Sequence, residues 1–403
     1  AEALIRSSHK PDGPYHIIGI FDNDKNKLGR KIRGIDIIGS IEKVFDSNNI
    51  IKTKKITKII IADQNISRNE IDSLLKYTDK IGISLARLPK ISELNKAQDN
   101  NSNETRPIDI EDLLGRAETR FNKEELEKLI SNKIILITGA GGTIGTELAN
   151  QISDMSPKTI ILSDYSEYAL WNITDKITSK INEANVSSIL LDVRDKHAVD
   201  KVFKEEKPDI VLHAAALKHV PICEKHPADA MKTNILGTKN VSETAIKYKT
   251  KIMVLISTDK AVDPTNFMGA SKRAAEIYIQ NLDKENSITN FVTVRFGNVL
   301  GSTGSVIPLF QKQIKRGGPL KVTHKDTTRF FMSVKEAVEL VLISLSSSVN
   351  KKERGYINVL EMGEPMKIDN LAKQLARLSG LTPGKDIEII YTGLRTGEKL
   401  HEK

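Results

Sequence analysis

The stretch Lys133-Ile134-Ile135-Leu136-Ile137-Thr138-Gly139-Ala140-Gly141-Gly142-Thr143-Ile144-Gly145 decides the fold of this chain. Lys133–Ile137 is a short run dominated by isoleucine and leucine, which predicts a strand buried on both faces, as in a parallel sheet. The glycines follow at Gly-x-x-Gly-x-x-Gly spacing. Gly139 permits the tight turn out of the strand, Gly142 lets the backbone approach a pyrophosphate, and Gly145 lets a helix over 143–152 pack close to the sheet. The helix N-terminus, with the backbone N–H groups around Thr143 and Ile144, then faces the phosphates. Three glycines alone are weak evidence, because many turns contain them; strand, turn and helix in register make the pattern specific.

Reading outward, a second strand over Thr159–Ser163 ends at Asp164, at the distance where an acidic residue binds the adenosine ribose hydroxyls, with Ser166 beside it. No arginine or lysine occurs in Tyr165–Leu170 to meet a 2′-phosphate, which favours NAD over NADP. A third strand ends at Asp192-Val193, positioned for an adenine ring. A fourth, Asp209–His213, opens into Ala214-Ala215-Ala216, whose small side chains leave room for a cofactor. A further strand, Ile252–Ile256, ends at Ser257-Thr258-Asp259-Lys260, and the carboxyl ends of strands are where open α/β sheets carry reactive groups. The fold class is therefore α/β, a doubly wound parallel sheet.

With 403 residues, two domains are expected. We place a small α/β domain at 1–94, a polar, Asn-rich linker and connector helix at 95–132, and the dinucleotide-binding domain at 133–403, with a substrate-binding portion from about 295 onward. The first part alternates apolar runs (His16–Phe21, Ile56–Ala62, Ile81–Leu88) with an amphipathic segment, Ser67–Tyr77, in a βα rhythm. The single cysteine, Cys223, excludes an internal disulfide framework, and no metal-ligand cluster forms around it. The net charge of +9 could suit nucleic acid, but the lysines are scattered and aromatics are only 5%, so a polyanionic small substrate or an anionic membrane surface accounts for it better. No run of eighteen apolar residues occurs. The opening Ala1-Glu2-Ala3-Leu4-Ile5-Arg6 reads as mid-helix, and the expectation is a piece of a longer protein.

A Met268-x-x-x-Lys272 pair stands where a nicotinamide enzyme of this type carries Tyr-x-x-x-Lys. A thioether cannot accept a proton, so proton transfer must fall to other groups, and the candidates lie just upstream in the Ser257-Thr258-Asp259-Lys260 run.

Finer motifs narrow the field. Ala214–Pro221, Ser257–Val262, Met268–Arg273, Arg295–Ser302, Thr328–Met332 and Gly393–Lys399 resemble the bacterial polysaccharide-biosynthesis UDP-N-acetylglucosamine 4,6-dehydratases, within the extended short-chain dehydrogenase/reductase superfamily. The methionine variant and the element Arg106–Arg116 are similar to that family's long, membrane-anchored branch. Thr396 departs from the proline common in the last motif.

The resemblance implies a reaction and its residues. Hydride leaves carbon 4 of the sugar, a proton leaves carbon 5, the carbon 6 hydroxyl departs as water, and hydride returns at carbon 6, so NAD is regenerated. Lys260 would abstract the carbon 5 proton, Asp259 would protonate the departing hydroxyl, and Thr258 would hydrogen-bond the carbon 4 oxygen. Lys272 would hold the nicotinamide ribose, with Met268 a packing surface for the sugar. Lys218, Asn234 and Ser257 join the cofactor set. Asn298, Lys312, Arg329, Arg395 and Glu398 are candidates for the UDP moiety, and His219 and Glu224 either face the sugar or cap a helix. The substrate implied is UDP-N-acetylglucosamine, in a homo-oligomer held at the cytoplasmic face of a bacterial inner membrane through an N-terminal region absent from this sequence. Two alternatives stay open: a UDP-N-acetylhexosamine 4-epimerase, which needs no acid for a leaving hydroxyl, and a non-catalytic NAD-binding sensor.

Overall fold

The computed structural model of the chain describes residues 4–6, 15–63, 66–88, 106–107, 123–181, 185–348 and 353–403. The chain divides into two compact units, one formed by 1–117 with 373–388, the other by 118–372 with 389–403.

The larger unit is built on seven strands: β1 (Ile134–Thr138), β2 (Thr159–Asp164), β3 (Asn185–Leu190), β4 (Ile210–His213), β5 (Ile252–Thr258), β6 (Asn290–Phe296) and β7 (Ile357–Val359). Their order across the sheet is β7-β6-β5-β4-β1-β2-β3, with every neighbouring pair parallel. The order reverses between β1 and β4, which opens a crevice at their carboxyl ends. Six helices pack on the sheet: α1 (Thr143–Ser153), α2 (Glu167–Thr178), α3 (Lys196–Glu206), α4 (Thr238–Lys247), α5 (Phe267–Glu285) and α6 (Val334–Ser348).

The strands read as unbroken apolar runs because both faces are covered. Ile135 and Ile137 of β1, with Val254 and Ile256 of β5, pack on one side with Leu148 and Ile152 of α1, Ile173 of α2 and Val341 of α6. Leu136 and Leu255, one residue out of phase, pack on the other side with Phe203 of α3, Val241 of α4 and Ile279 of α5. This two-residue alternation is the pleat itself.

In the smaller unit, strands Lys58–Ile61 and Ser84–Arg87 pair in parallel through helix Arg68–Ile81. Ser67 and Glu70 form a reciprocal capping box at its start, with Ser67 N to Glu70 Oε2 at 2.9 Å and Glu70 N to Ser67 Oγ at 3.3 Å. Ile20–Phe21 pairs in parallel with Ile35–Gly39, but Lys31–Ile32 pairs with it antiparallel. Positive φ at Arg33 and Gly34 makes the tight hairpin turn, so the expected βα rhythm is interrupted there. The expected linker from 95 to 105, and 108–116 of the connector, lie outside the described residues. Among the described residues, no helix is long and apolar enough to cross a membrane, and no group of three or more His, Cys, Asp or Glu side chains could hold a metal ion.

Candidate active site

Strand β5 runs two residues further than its apolar run, so Ser257 and Thr258 still pair with β6, at Arg295 and Phe296. The chain then makes a single 3₁₀ turn, Asp259–Ala261. Asp259 is wholly buried. Its Oδ1 accepts hydrogen bonds from Thr258 Oγ1 at 2.9 Å and Lys260 Nζ at 3.0 Å, while Oδ2 is buried without a partner. Lys260, with 16% of its side chain exposed, also donates to Asn298 Oδ1 at 2.8 Å. Asn298 is held there by a short parallel pairing of Asn298–Val299 with Phe331–Met332. Thr258, Asp259, Lys260 and Asn298 thus form one hydrogen-bonded group at the strand tip.

Helix α5 lies beside this group. Asn266 caps it by accepting from Gly269 N at 2.7 Å, and Glu224 accepts from Phe267 N, also at 2.7 Å. Glu224 is thereby a helix cap, at α5 rather than at the helix that follows it in sequence. Met268 is 3% exposed and packs with Cys223 and Ala230, flanked by Leu217 and Val220. This thioether fills core space. Lys272 Nζ donates to the Ile256 carbonyl at 2.8 Å. Burial pushes its pKa down to about 8, against the opposing pull of the Glu276 charge. Glu276 is also fully buried, accepting from Ser257 Oγ at 2.6 Å, from Arg295 Nε at 2.7 Å and from Arg273 Nη1 at 3.1 Å. Asn234 is spent on structure as well: it bridges both backbone groups of Leu217 and donates to Ser271 Oγ at 2.9 Å.

The glycine turn fits a dinucleotide. Gly139 has φ +67°, and a Cβ at Gly145 would lie 2.1 Å from the Gly139 carbonyl. A Cβ at Gly142 would meet only that same carbonyl, at 3.2 Å, so the face in front of Gly142 is open. Gly142 caps α1 without a side-chain bond, leaving the first-turn N–H groups around Thr143 and Ile144 for an anion. Asp164 is oriented by Gly141 N and Ser166 N, each at 2.9 Å on a different oxygen, which leaves lone pairs for ribose hydroxyls. Ser166 Oγ caps α2 through Ala169 N. Ala214, Ala215 and Ala216 are half-buried along the crevice. Asp192 is gripped by the Arg194 guanidinium, which holds its carboxyl below the usual range, and the Val193 carbonyl is taken by Asn240. Arg194 also lies 5.4 Å from the Tyr165 ring centre, which sets a basic group beside the residue that follows Asp164.

On the substrate side the residues separate. Arg329 is buried, and its guanidinium donates to the carbonyls of Thr328, Lys399 and Leu400 and to Glu398 Oε1 at 3.3 Å. It therefore clamps the C-terminal segment, and as the structure stands it presents no fork to a diphosphate. Glu398 also accepts from Thr323 Oγ1 and Arg395 N. Arg395 and Lys312 are exposed. The His219 imidazole packs on Gly304, where a Cβ would lie 2.5 Å away. Lys218 and His219 are exposed for much of their length, yet lost hydration lowers the pKa of each, with Lys218 adding repulsion at His219.

Glu276 and Glu402 belong to this site and were not singled out by sequence. Glu276 stands four residues after Lys272, a spacing that says nothing of Ser257 or Arg295. Glu402 has 3% of its side chain exposed and lies 4.0 Å from Lys260 Nζ; it sits in a charged terminal stretch with no periodic signal.

A family model described as Polysaccharide biosynthesis protein matches residues 135–403. The capsular polysaccharide biosynthesis protein CapD of Staphylococcus aureus is 42% identical over 95% of this chain and 63% of its own length. The chain thus spans less than two thirds of that relative. A Campylobacter jejuni UDP-N-acetylglucosamine 4,6-dehydratase (inverting) is 36% identical over 68% of this chain and 78% of its own, and a Rickettsia bellii UDP-glucose 4-epimerase is 36% identical over 67% and 77%. Among solved structures, Pen from Bacillus thuringiensis superposes with a TM-score of 0.61 at 34% identity, covering 68% of this chain and 81% of that one.

Proposed function

The chain belongs to the polysaccharide biosynthesis protein family, and from that membership we propose that it is a nucleotide-sugar 4,6-dehydratase. It converts UDP-N-acetylglucosamine to a UDP-2-acetamido-2,6-dideoxy-4-keto-hexose. The observation that carries this reading is the buried carboxyl–amine pair of Asp259 and Lys260, with Oδ2 of Asp259 left without a partner. An epimerase needs a base at the carbon 4 hydroxyl only; a dehydratase needs in addition a base at carbon 5 and an acid at carbon 6.

The residues divide the work by reach. NAD, when bound at the glycine turn and Asp164, supplies the two-electron acceptor that each cycle regenerates. Asp259 Oδ2 takes the carbon 4 hydroxyl proton and later gives it to the departing carbon 6 hydroxyl, so one carboxyl serves both steps. Lys260 takes the carbon 5 proton, made acidic by the adjacent ketone, and returns a proton there after water has left. Asn298 and Asp259 fix the direction of its amine. Thr258, whose hydroxyl rests on Asp259, turns to the carbon 4 oxygen. Lys272 meets the cofactor ribose, supported by the Ile256 carbonyl. Arg395, Glu398 and Lys312 receive the UDP moiety, with Arg329 either joining them or fixing the segment that carries them. A homo-oligomer, attached at the cytoplasmic face of a membrane by a region outside this sequence, belongs to the same reading.

The second reading, a 4-epimerase, is favoured by the Rickettsia relative. Incubation with UDP-N-acetylglucosamine in deuterated water separates the two. Loss of water with deuterium at carbon 5 is the expected result; inversion at carbon 4 alone indicates the epimerase, and no turnover with tight NAD binding leaves a sensor. Asp259→Asn should keep NAD and lose turnover by about 100-fold or more, the scale of a missing general acid or base. Turnover near the parent level would remove Asp259 from the mechanism.

A further inference from the structure

We propose that Glu402 is a positioning residue for Lys260, supplying the counter-charge with which its amine holds the proton taken from carbon 5. The inference rests on the dehydratase reading and adds a group to it.

The C-terminal segment is tied onto the loop that follows Lys260. Lys399 Nζ donates to the Val262 carbonyl at 2.7 Å, and the Gly397 carbonyl accepts from Thr265 Oγ1 at 3.2 Å and Asn266 Nδ2 at 3.0 Å. Lys403 pairs with Asp263 at 2.7 Å, and Arg329 holds the carbonyls of Lys399 and Leu400. These ties carry Glu402 inward. Its Oε1 lies 4.0 Å from Lys260 Nζ and 3.9 Å from Arg329 Nε, and its Oε2 lies 3.7 Å from Lys399 Nζ. Oε2 is buried with no hydrogen-bond partner. A carboxylate kept dry among cations, without a full set of hydrogen bonds, is costly and asks for an explanation.

The valence of Lys260 gives one. A base must act as the neutral amine, which has two N–H donors, and Lys260 Nζ has two acceptors in the structure, Asp259 Oδ1 and Asn298 Oδ1. Proton uptake from carbon 5 adds a third N–H and a positive charge. Once Asp259 has taken the carbon 4 hydroxyl proton its own charge is gone, and Glu402 is then the carboxylate facing the new ammonium. At 4.0 Å the attraction is that of charges, and a small movement makes it a hydrogen bond.

The test compares Glu402→Gln and Glu402→Asp in the full chain with NAD, using UDP-N-acetylglucosamine in deuterated water. Glu402→Gln should lower kcat and deuterium entry at carbon 5 together by about 100-fold, with KM little changed, as expected when a base loses its set position. Glu402→Asp, which keeps the charge, should recover part of both. The role is overturned if Glu402→Gln retains the parent kcat and isotope entry, or if KM rises at constant kcat, which would make Glu402 part of the substrate clamp. Equal loss in both variants with a lowered Tm would make it a structural residue only. A parent chain that eliminates no water overturns the dehydratase reading itself and takes the Glu402 role with it.

Discussion

At the scale of single residues, burial rather than identity decides what each charged group does. Lys272 sits on a carbonyl in a dry site, so its pKa falls to about 8, and the Glu276 charge keeps it from falling further. The charged form, suited to holding the cofactor ribose, is therefore lost as pH rises through about 8. Glu276→Gln should move that alkaline limb of the NAD-affinity profile toward neutrality by about one unit, readable by titration at several pH values. The same change strips Arg295 and Arg273 of a buried partner and should cost about 3–5 kcal/mol of stability, so the titration belongs at low temperature. A limb that stays in place would detach Glu276 from Lys272. Thr258, Asp259 and Lys260 were legible in the sequence because they end an apolar run at the edge of a crevice. The packing of Met268 and the hydrogen bonds of Arg329 were not, because a sequence does not say that a methionine packs on Cys223, or that the acceptors of a guanidinium lie some seventy residues downstream.

At the scale of elements, the strand–turn–helix unit β1–α1 was read almost to the residue, since a continuous apolar run and a glycine turn leave few other foldings. Its three glycines do different things, and substitution separates them. Gly145→Ala puts a Cβ 2.1 Å from the Gly139 carbonyl, so the helix must shift; overpacking of this kind costs about 1–3 kcal/mol, and both Tm and NAD affinity should drop. Gly142→Ala puts its Cβ 3.2 Å from the same carbonyl, a tight contact but a far milder one, so Tm should fall less while the methyl group obstructs the pyrophosphate. We expect calorimetry to show weaker NAD binding in both variants and the larger loss of Tm in the first. Equal Tm losses would mean that Gly142 serves packing instead. The hairpin at 31–39 was missed because its strands are short and its turn, Arg33-Gly34, needs positive φ at a residue that rarely adopts it.

At the scale of the whole molecule, neither of the two units is one continuous stretch of sequence. Residues 373–388 belong with 1–117, where Gln374 donates to Asp72 at 2.8 Å and Leu378 packs on the apolar cluster of Ile61, Ile71 and Leu74. No composition shift marks that return, because an amphipathic helix looks alike whichever core receives it. The larger unit carries its own long-range tie. His213, fully buried on β4, joins Thr138 of β1 at 2.7 Å and Thr238 of α4 at 3.1 Å, and burial depresses its pKa to about 3. The folded state thus keeps it neutral, while the unfolded chain takes up a proton near pH 6.5. Below that value the unfolded state binds the extra proton, so stability falls with falling pH, by about 1.4 kcal/mol per unit, until the folded imidazole titrates near pH 3. Denaturant melts at pH 7, 6, 5 and 4 should show this slope, and His213→Gln, which can still bond a threonine hydroxyl, should flatten it by that amount while starting from a lower stability at pH 7. An unchanged slope would mean that other groups govern acid unfolding and that the β1–β4–α4 tie is neutral to pH.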